Sequence, residues 1–291
     1  MLLSTQTCGL ERNFGIKKAI DIIADAGFDA MDFSIFTDEH CTDVHDIDYY
    51  RELRKYAEDK GLVFNQSHAP YPSSAISEEE TEERFRKIVT AMRNSSCLGV
   101  KNIIVHPMQH LTYAEGDNAE RLFEMNMEFY KRLIPYCEEY GIHVALENVW
   151  QYQKDGWSKI FFSTCAESDE FVRYLDTLDN EWLVACLDIG HAVLVCEDVS
   201  KFIHKLGKKY LKALHVHDVD GMYDSHTLPY FGVTDWDKVT KALADINYEG
   251  DFTFEADRFF MNKPFELYPE YIKCMVSTGR LLVNKVLEYS K

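Results

Sequence analysis

Reactive side chains stand at the ends of short apolar runs in this chain of 291 residues. Histidine, aspartate or glutamate closes the segments FNQSHAP, IIVHP, ALENVW, CLDIGHA, LHVHDVDG and FTFEADR. Burying such a group is costly unless it is paired or binds a cation. Converging carboxylates would repel one another, and Asp, Glu and His are ligands for a divalent cation, so we expect a metal site. The residues are His68, His106, Glu147, Asp188, His191, His215, His217, Asp218, Glu255 and Asp257.

The elements that would position these residues follow an alternating pattern. Eight apolar or β-branched runs predict buried strands, and the longer stretches between them have helical spacing. Each parallel strand needs a crossover helix, so the pattern predicts one (β/α)8 barrel domain over residues 1–291. An open doubly wound sheet is disfavoured, because TCGLERNFG after the first run lacks GxGxxG spacing. The predicted strands are Leu2–Thr7, Phe28–Phe36, Val63–His68, Asn102–His106, His143–Asn148, Leu183–Asp188, Ala213–His217 and Asp251–Glu255.

Glycines mark several helix ends. A glycine follows four of the helical patterns and precedes a predicted strand by a few residues, at Gly27, Gly61, Gly99 and Gly141. Glycine is common just after the C-terminus of a helix because it adopts the left-handed conformation needed there. In a barrel of this kind the chemistry lies at the C-terminal strand ends, where the reactive residues stand. The predicted helices are Ile16–Ala26, Asp48–Lys60, Glu79–Leu98, Ala119–Tyr140, Cys165–Leu178, Ser200–Leu206, Trp236–Ile246 and Tyr268–Leu287.

Composition excludes several classes of partner. Lys and Arg number 31 and Asp and Glu number 49, which gives a net charge of −18 and disfavours nucleic acid and anionic membranes. The eight cysteines are scattered without a CxxC pair, so we expect reduced thiols. The N-terminus lacks the pattern of a signal peptide, and no run is apolar enough to span a membrane. We therefore expect a cytoplasmic protein.

Five motifs resemble those of one family. They are LEN at Glu147, LDIGH through Asp188 and His191, HVHD from His215, DGMYDSHTLPYFGVTDW, and YEGDFTFE ending at Glu255. In this order they resemble the sugar (phosphate) isomerase/epimerase group of the xylose-isomerase-like barrel superfamily, over nearly the whole chain. The loop departs from the family pattern because its usual Pro-Gly pair is broken into PYFG, which leaves the loop conformation open.

The resemblance implies one divalent ion (Mn, Co, Mg or Zn) held by Glu147, Asp188, His215 and Glu255. Either histidine of HVHD could be the ligand, and His215 is preferred because it stands three residues before Asp218. His217 would then lie in a second shell, at a second metal, or on the other face of the strand.

The resemblance also implies a reaction. Isomerisation and epimerisation begin with removal of a proton next to a carbonyl, and a metal ion stabilises the resulting enediolate. Glu147 and Glu255 would serve as the acid/base pair on a small carbohydrate. Further residues are predicted to contact substrate or to form an apolar wall: His191, His68, His106, Arg258, Trp150, Trp157, Phe36 and Tyr71. Ordinary packing for the aromatic residues and a surface salt bridge for Arg258 are the alternatives.

Other members of the superfamily suggest alternatives. Type-IV apurinic endonucleases hold three zinc ions, and their extra ligand positions match His68, His106, His191, Asp224 and His226. Acidic charge argues against DNA repair, but additional zinc, and a metal-dependent hydrolase or an inosose dehydratase-like activity, remain alternatives. A non-enzymatic sugar-binding barrel is disfavoured because the four expected ligands are present. The family also suggests a homo-oligomer. The motifs leave open the sugar, its phosphorylation and the metal.

Overall fold

The computed structural model describes residues 1–152 and 160–290. Eight parallel strands lie around a barrel in the order in which they occur along the chain, and a parallel bridge between Val216 and Phe254 joins the two ends of the sheet. The predicted (β/α)8 barrel is confirmed. Organisation of residues 1–291 as one domain stays a prediction. The barrel strands are β1 (Leu3–Gln6), β2 (Ala30–Ser34), β3 (Val63–His68), β4 (Asn102–Val105), β5 (His143–Glu147), β8 (Leu183–Asp188), β9 (Leu211–His215) and β10 (Phe252–Phe254).

Helices cover the outside of the barrel, and their apolar faces form one core cluster with the outward-facing strand residues. The helices that follow barrel strands agree with the predicted ones to within a few residues at most ends. The bounds are α1 (Cys8–Phe14), α2 (Ile16–Ala26), α3 (Asp38–Cys41), α4 (Ile47–Glu58), α5 (Glu78–Leu98), α6 (Asn118–Tyr140), α7 (Ser168–Leu178), α8 (Ile189–Leu194), α9 (Val199–Tyr210), α10 (Trp236–Asp245), α11 (Arg258–Met261) and α12 (Tyr268–Tyr289), with a 3-10 turn at Phe265–Leu267.

Short elements on the C-terminal side of the barrel were not predicted. They are α1, α3, α8, α11 and an antiparallel hairpin of β6 (Trp150–Tyr152) and β7 (Ile160–Phe162). Four to seven residues, or three per strand, carry too little periodic signal for a sequence pattern to reveal. These segments surround the ends of the strands where the polar residues stand.

The barrel interior divides into an apolar and a polar half. Residues of β4, β5, β8 and β9 form a separate buried cluster of Ile104, Ala145, Val184, Cys186 and Ala213. Polar side chains of β1, β2, β3 and β10 are joined by hydrogen bonds instead. Ser4 Oγ donates to Asn65 Oδ1 at 2.7 Å, and Thr253 Oγ1 donates to Gln66 Oε1 at 3.1 Å.

Two irregularities in strand pairing set which side chains face inward. Met31 pairs with Phe64 and Asp32 with Gln66, so Asn65 is an extra residue in β3. Likewise Ala185 pairs with Leu211 and Cys186 with Ala213. A one-residue bulge shifts the alternation of the residues that follow it. These shifts bring Gln66, His68, Ala213 and His215 to the inside of the barrel.

No helix within residues 1–152 and 160–290 is long and apolar enough to cross a membrane. All eight cysteines are free thiols.

Glu170, in the first turn of α7, has a partly buried carboxyl group. Its Oε1 accepts a hydrogen bond from the Tyr113 hydroxyl at 2.8 Å, and its Oε2 accepts one from the Cys165 backbone N–H at 2.8 Å. Burial outweighs these hydrogen bonds and raises the pKa of Glu170 from 4.5 to about 7. Between these values the folded protein retains a proton that the unfolded chain releases, so stability falls as the pH rises.

Glu170→Gln should remove this pH dependence because glutamine does not titrate. From pH 4.5 to 8, the free energy of unfolding of the wild type should fall by up to about 3 kcal/mol relative to that of the variant. Urea unfolding at several pH values measures the difference, and Glu128→Gln on exposed α6 is the control. Parallel pH curves for wild type and Glu170→Gln would show that this pKa assignment is wrong.

Candidate metal centre

Four candidate ligands meet at the C-terminal end of the barrel. Glu147, Asp188 and His215 are the last residues of β5, β8 and β9, and Glu255 follows β10. One ligand atom from each lies within 4.8 Å of the others. His215 Nδ1 is 3.1 Å from Glu147 Oε1 and 3.0 Å from Glu255 Oε2. All four are buried, with Glu255 the most exposed at 9%.

The charges of this cluster suit a divalent cation. Burial opposes ionisation of Glu147, but the imidazoles of His215 and His106 outweigh it and hold the pKa of Glu147 well below its usual value. His215 and His226 likewise outweigh burial and lower the pKa of Glu255. Glu147 Oε2 is buried and accepts no well-oriented hydrogen bond. Three buried carboxylates and one imidazole form a donor set that fits Mn, Co, Mg or Zn.

A second group shares Glu147. His68 ends β3 and His106 follows β4, and their Nε2 atoms are 3.1 Å apart. These atoms lie 3.5 and 3.0 Å from Glu147 Oε2. Burial outweighs the attraction of Glu147 and lowers the pKa of His106, which favours the neutral imidazole that ligates metals.

A third group contains His191 of α8, His217, and Asp224 and His226 of the loop after β9. His226 Nε2 is 2.9 Å from Asp224 Oδ2, and His217 Nε2 is 3.0 Å from Asp188 Oδ1. The Asp224 carboxylate outweighs burial and raises the pKa of His226 to about 9. Asp224 Oδ1 is buried and accepts no hydrogen bond. The three groups therefore form one continuous array of ligands.

The alternative that His217 lies on the opposite face of its strand is wrong. His215 and His217 are two residues apart, and side chains at that spacing share a face. Both point into the site, His215 toward Glu147 and His217 toward Asp188. His217 also requires a glycine at position 190, because a Cβ atom there would lie 2.1 Å from its ring.

Asp218 shapes the loop after β9 rather than contributing a ligand. Its carboxylate is fully buried and accepts five hydrogen bonds, from the backbone N–H groups of Val219, Tyr230 and Thr234, the Thr234 hydroxyl and the Trp236 indole N–H. The PYFG segment is thus folded around this carboxylate. Gly232 is needed there because a Cβ atom would lie 2.2 Å from Val219 O.

The remaining predicted residues surround these groups. The Trp150 ring centroid is 6.3 Å from that of His191. Phe36 and Tyr71 pack against each other, at 5.2 Å, and against His68. Trp157 lies outside the described residues. Arg258, a predicted substrate contact with a surface salt bridge as its alternative, donates a hydrogen bond from its guanidinium to the Asp224 backbone O at 2.6 Å. Asp257 accepts a hydrogen bond from the Cys8 thiol at 3.1 Å.

Two residues of the site were missed. Asp32 of β2 lies beside His215, with its Oδ2 atom 3.3 Å from His215 Nε2. Asn148 donates a hydrogen bond to Asp188 O, accepts one from Asp188 N–H, and its backbone O lies 2.9 Å from His191 Nδ1. Asn148 belongs to the LEN motif, in which only the glutamate is predicted to be a site residue. Asp32 lies in the apolar run Phe28–Phe36, where the alternation of side chains between the two faces of a strand is the signal that could have indicated an inward side chain.

The fold and these residues define a (β/α)8 barrel with a carboxylate–histidine centre at its strand ends. The chain belongs to the xylose isomerase-like TIM barrel family, whose model matches residues 20–276. It is 24% identical to D-psicose 3-epimerase of Enterocloster bolteae over 255 residues, 82% of this chain and 76% of that protein.

Solved structures share this fold. A D-psicose 3-epimerase determined in the presence of D-fructose has a TM-score of 0.76 at 14% identity, covering 97% of this chain and 99% of that one. The IolI protein with a bound zinc atom has a TM-score of 0.74 at 18% identity, with 99% of each chain covered.

Asp218→Ala should strongly destabilise the folded protein, because it leaves buried hydrogen-bond donors without an acceptor. We expect a loss of at least about 3 kcal/mol in the free energy of unfolding, measured by urea denaturation. Asp220→Ala is the matched control. Its exposed carboxylate accepts hydrogen bonds from Met222 and Tyr223 N–H, and its loss should cost about 1 kcal/mol or less. Equal losses would contradict the assigned role of Asp218.

Proposed function

We propose that this protein is a divalent-metal-dependent sugar isomerase or epimerase that removes a proton next to a carbonyl. The observation that carries the proposal is the buried group of Glu147, Asp188, His215 and Glu255 at one end of the barrel. The names of relatives support the choice of reaction, since D-psicose 3-epimerase and fructoselysine 3-epimerase of Escherichia coli O157:H7 are among them.

Glu147, Asp188, His215 and Glu255 would hold the ion. When bound, it would act as a Lewis acid toward the substrate carbonyl oxygen and stabilise the negative charge that develops there. An imidazole nitrogen binds a metal ion only when the histidine is neutral. Metal binding would therefore release the proton that the neighbouring carboxylates favour on His215.

Glu147 and Glu255 are suited to proton transfer. Both have lowered pKa values, so both are ionised and able to accept a proton at neutral pH. They approach His215 Nδ1 from two different strands, β5 and the end of β10. In an epimerase one would take the proton and the other would return it to the opposite face of the carbon. In an isomerase the proton would move between neighbouring carbons.

The surrounding residues favour an uncharged carbohydrate. His191 would donate a hydrogen bond to a substrate hydroxyl, and Trp150, Phe36 and Tyr71 supply apolar surface near the centre. Arg258 is already engaged by the Asp224 backbone, which reduces its capacity to bind a phosphate group. We therefore propose a ketose or keto-derivative without phosphate as the substrate.

Replacement of either glutamate tests this mechanism. Glu147→Gln and Glu255→Gln should each lower deuterium incorporation from D2O into D-psicose, D-fructose or D-tagatose by about 10²–10⁴-fold, because amides cannot accept the proton. Proton NMR of the sugar measures the exchange, and circular dichroism verifies the fold. Glu181→Gln, an exposed residue just before β8, is the control. Full exchange in both glutamine variants would rule out the two-glutamate mechanism.

A multi-metal hydrolase or a dehydratase is the second candidate. The observation that favours it is the presence of two further ligand groups, His68–His106–Glu147 and His191–His217–Asp224–His226, next to the first. Metal ions held there could activate water. The net charge of −18 disfavours a duplex DNA substrate even so.

Metal content distinguishes the two candidates. The isomerase/epimerase proposal predicts one tightly bound ion per chain after mild dialysis, because its chemistry needs only the ion that Glu147, Asp188, His215 and Glu255 would hold. Elemental analysis gives the stoichiometry. His106→Ala and His226→Ala should leave that value near one. Two or three zinc ions per wild-type chain, with one lost in each variant, would instead support the hydrolase.

A further inference from the structure

Asp32 is a buried carboxylate that belongs to none of the ligand groups. It lies on β2 and is only 1% exposed. Its Oδ2 accepts a hydrogen bond from Gln66 Nε2 at 2.9 Å and lies 3.3 Å from His215 Nε2. Its Oδ1 is buried without a hydrogen-bond partner. A carboxylate in this environment costs stability, so its presence calls for a role.

The surroundings of Asp32 hold it in one orientation. The bulge at Asn65 places Gln66 opposite Asp32 in the strand pairing. Gln66 is itself oriented, because its Oε1 accepts from Thr253 Oγ1 at 3.1 Å and its Nε2 lies 3.4 Å from Leu214 O. Because the Gln66 amide nitrogen points at Asp32, the Oδ2 atom of Asp32 is held on the side that faces His215.

The two nitrogens of His215 then have different surroundings. Nδ1 faces Glu147 and Glu255, at 3.1 and 3.0 Å, whereas Nε2 faces Asp32. A hydrogen on Nε2 that is donated to Asp32 leaves the lone pair on Nδ1, directed at the other ligands. A carboxylate that accepts from the outer N–H of a ligating histidine fixes the tautomer and ring orientation and makes the imidazole a stronger ligand.

We propose that Asp32 is the positioning residue of the metal centre, and that it acts through His215 to raise the affinity for the divalent ion. The proposal rests on the metal centre of the proposed function and adds a fifth residue to it. It also gives a reason for the polar half of the barrel interior, since Gln66 and Thr253 hold Asp32 in place.

Binding of Co²⁺ to the metal-free protein tests this role without any substrate. The affinity for the first equivalent is measured by competition with a chelator, and the visible absorption of Co²⁺ reports the ligand set. Asp32→Ala should lower the affinity by about 10–100-fold in a protein that circular dichroism shows to be folded. Asp32→Asn should lose less, because its amide oxygen can still accept from His215 and Gln66.

Ser67→Ala is the matched control. Ser67 is a neighbouring, fully buried residue of β3, and its hydroxyl donates to Ser95 Oγ at 2.8 Å on the α5 side. This variant should keep the wild-type affinity. An Asp32→Ala protein that binds Co²⁺ as tightly as wild type, within about twofold, would overturn the role of Asp32 and leave the proposed function standing. Failure of the wild type to bind Co²⁺ would overturn both.

Discussion

Compensation of buried negative charge is the constraint on which this structure depends. Parallel strands present their C-terminal ends at one rim of the barrel, and here Glu147, Asp188 and Glu255 meet there with little access to water. Carboxylates so close together are unfavourable unless positive charge lies between them. Histidines supply part of that charge, and a divalent ion would supply more. The distances around His215 follow from this requirement.

The barrel interior has an apolar half and a polar half, and the polar half lies next to the charged site. The apolar cluster of Ile104, Val184 and Cys186 fills one half. The other half contains hydrogen-bonded polar side chains, with Asp32 and Gln66 directly below the site. Satisfied buried polar groups fix a single arrangement more strictly than apolar packing does. The polar half is therefore suited to the orienting role that is proposed for Asp32.

The loop after β9 extends the centre. Asp218 folds the loop through five hydrogen bonds, and Arg258 holds the Asp224 backbone. Asp224 and His226 thereby reach His191 and His217 from outside the barrel. Under the proposed functions, proton abstraction would use one ion and water activation would use several, so the number of ions bound would decide between them.

The sequence by itself determined the order of strands and helices, because alternation and helical spacing depend on local residue types. It also determined which residue types end the strands, and the motifs marked Glu147, Asp188, His215 and Glu255 as candidates. The tertiary structure alone decided that Asp218 organises a loop and that Asp32 contacts His215. Those facts depend on strand register, bulges and contacts across the barrel between residues as much as 183 positions apart, which local patterns do not encode.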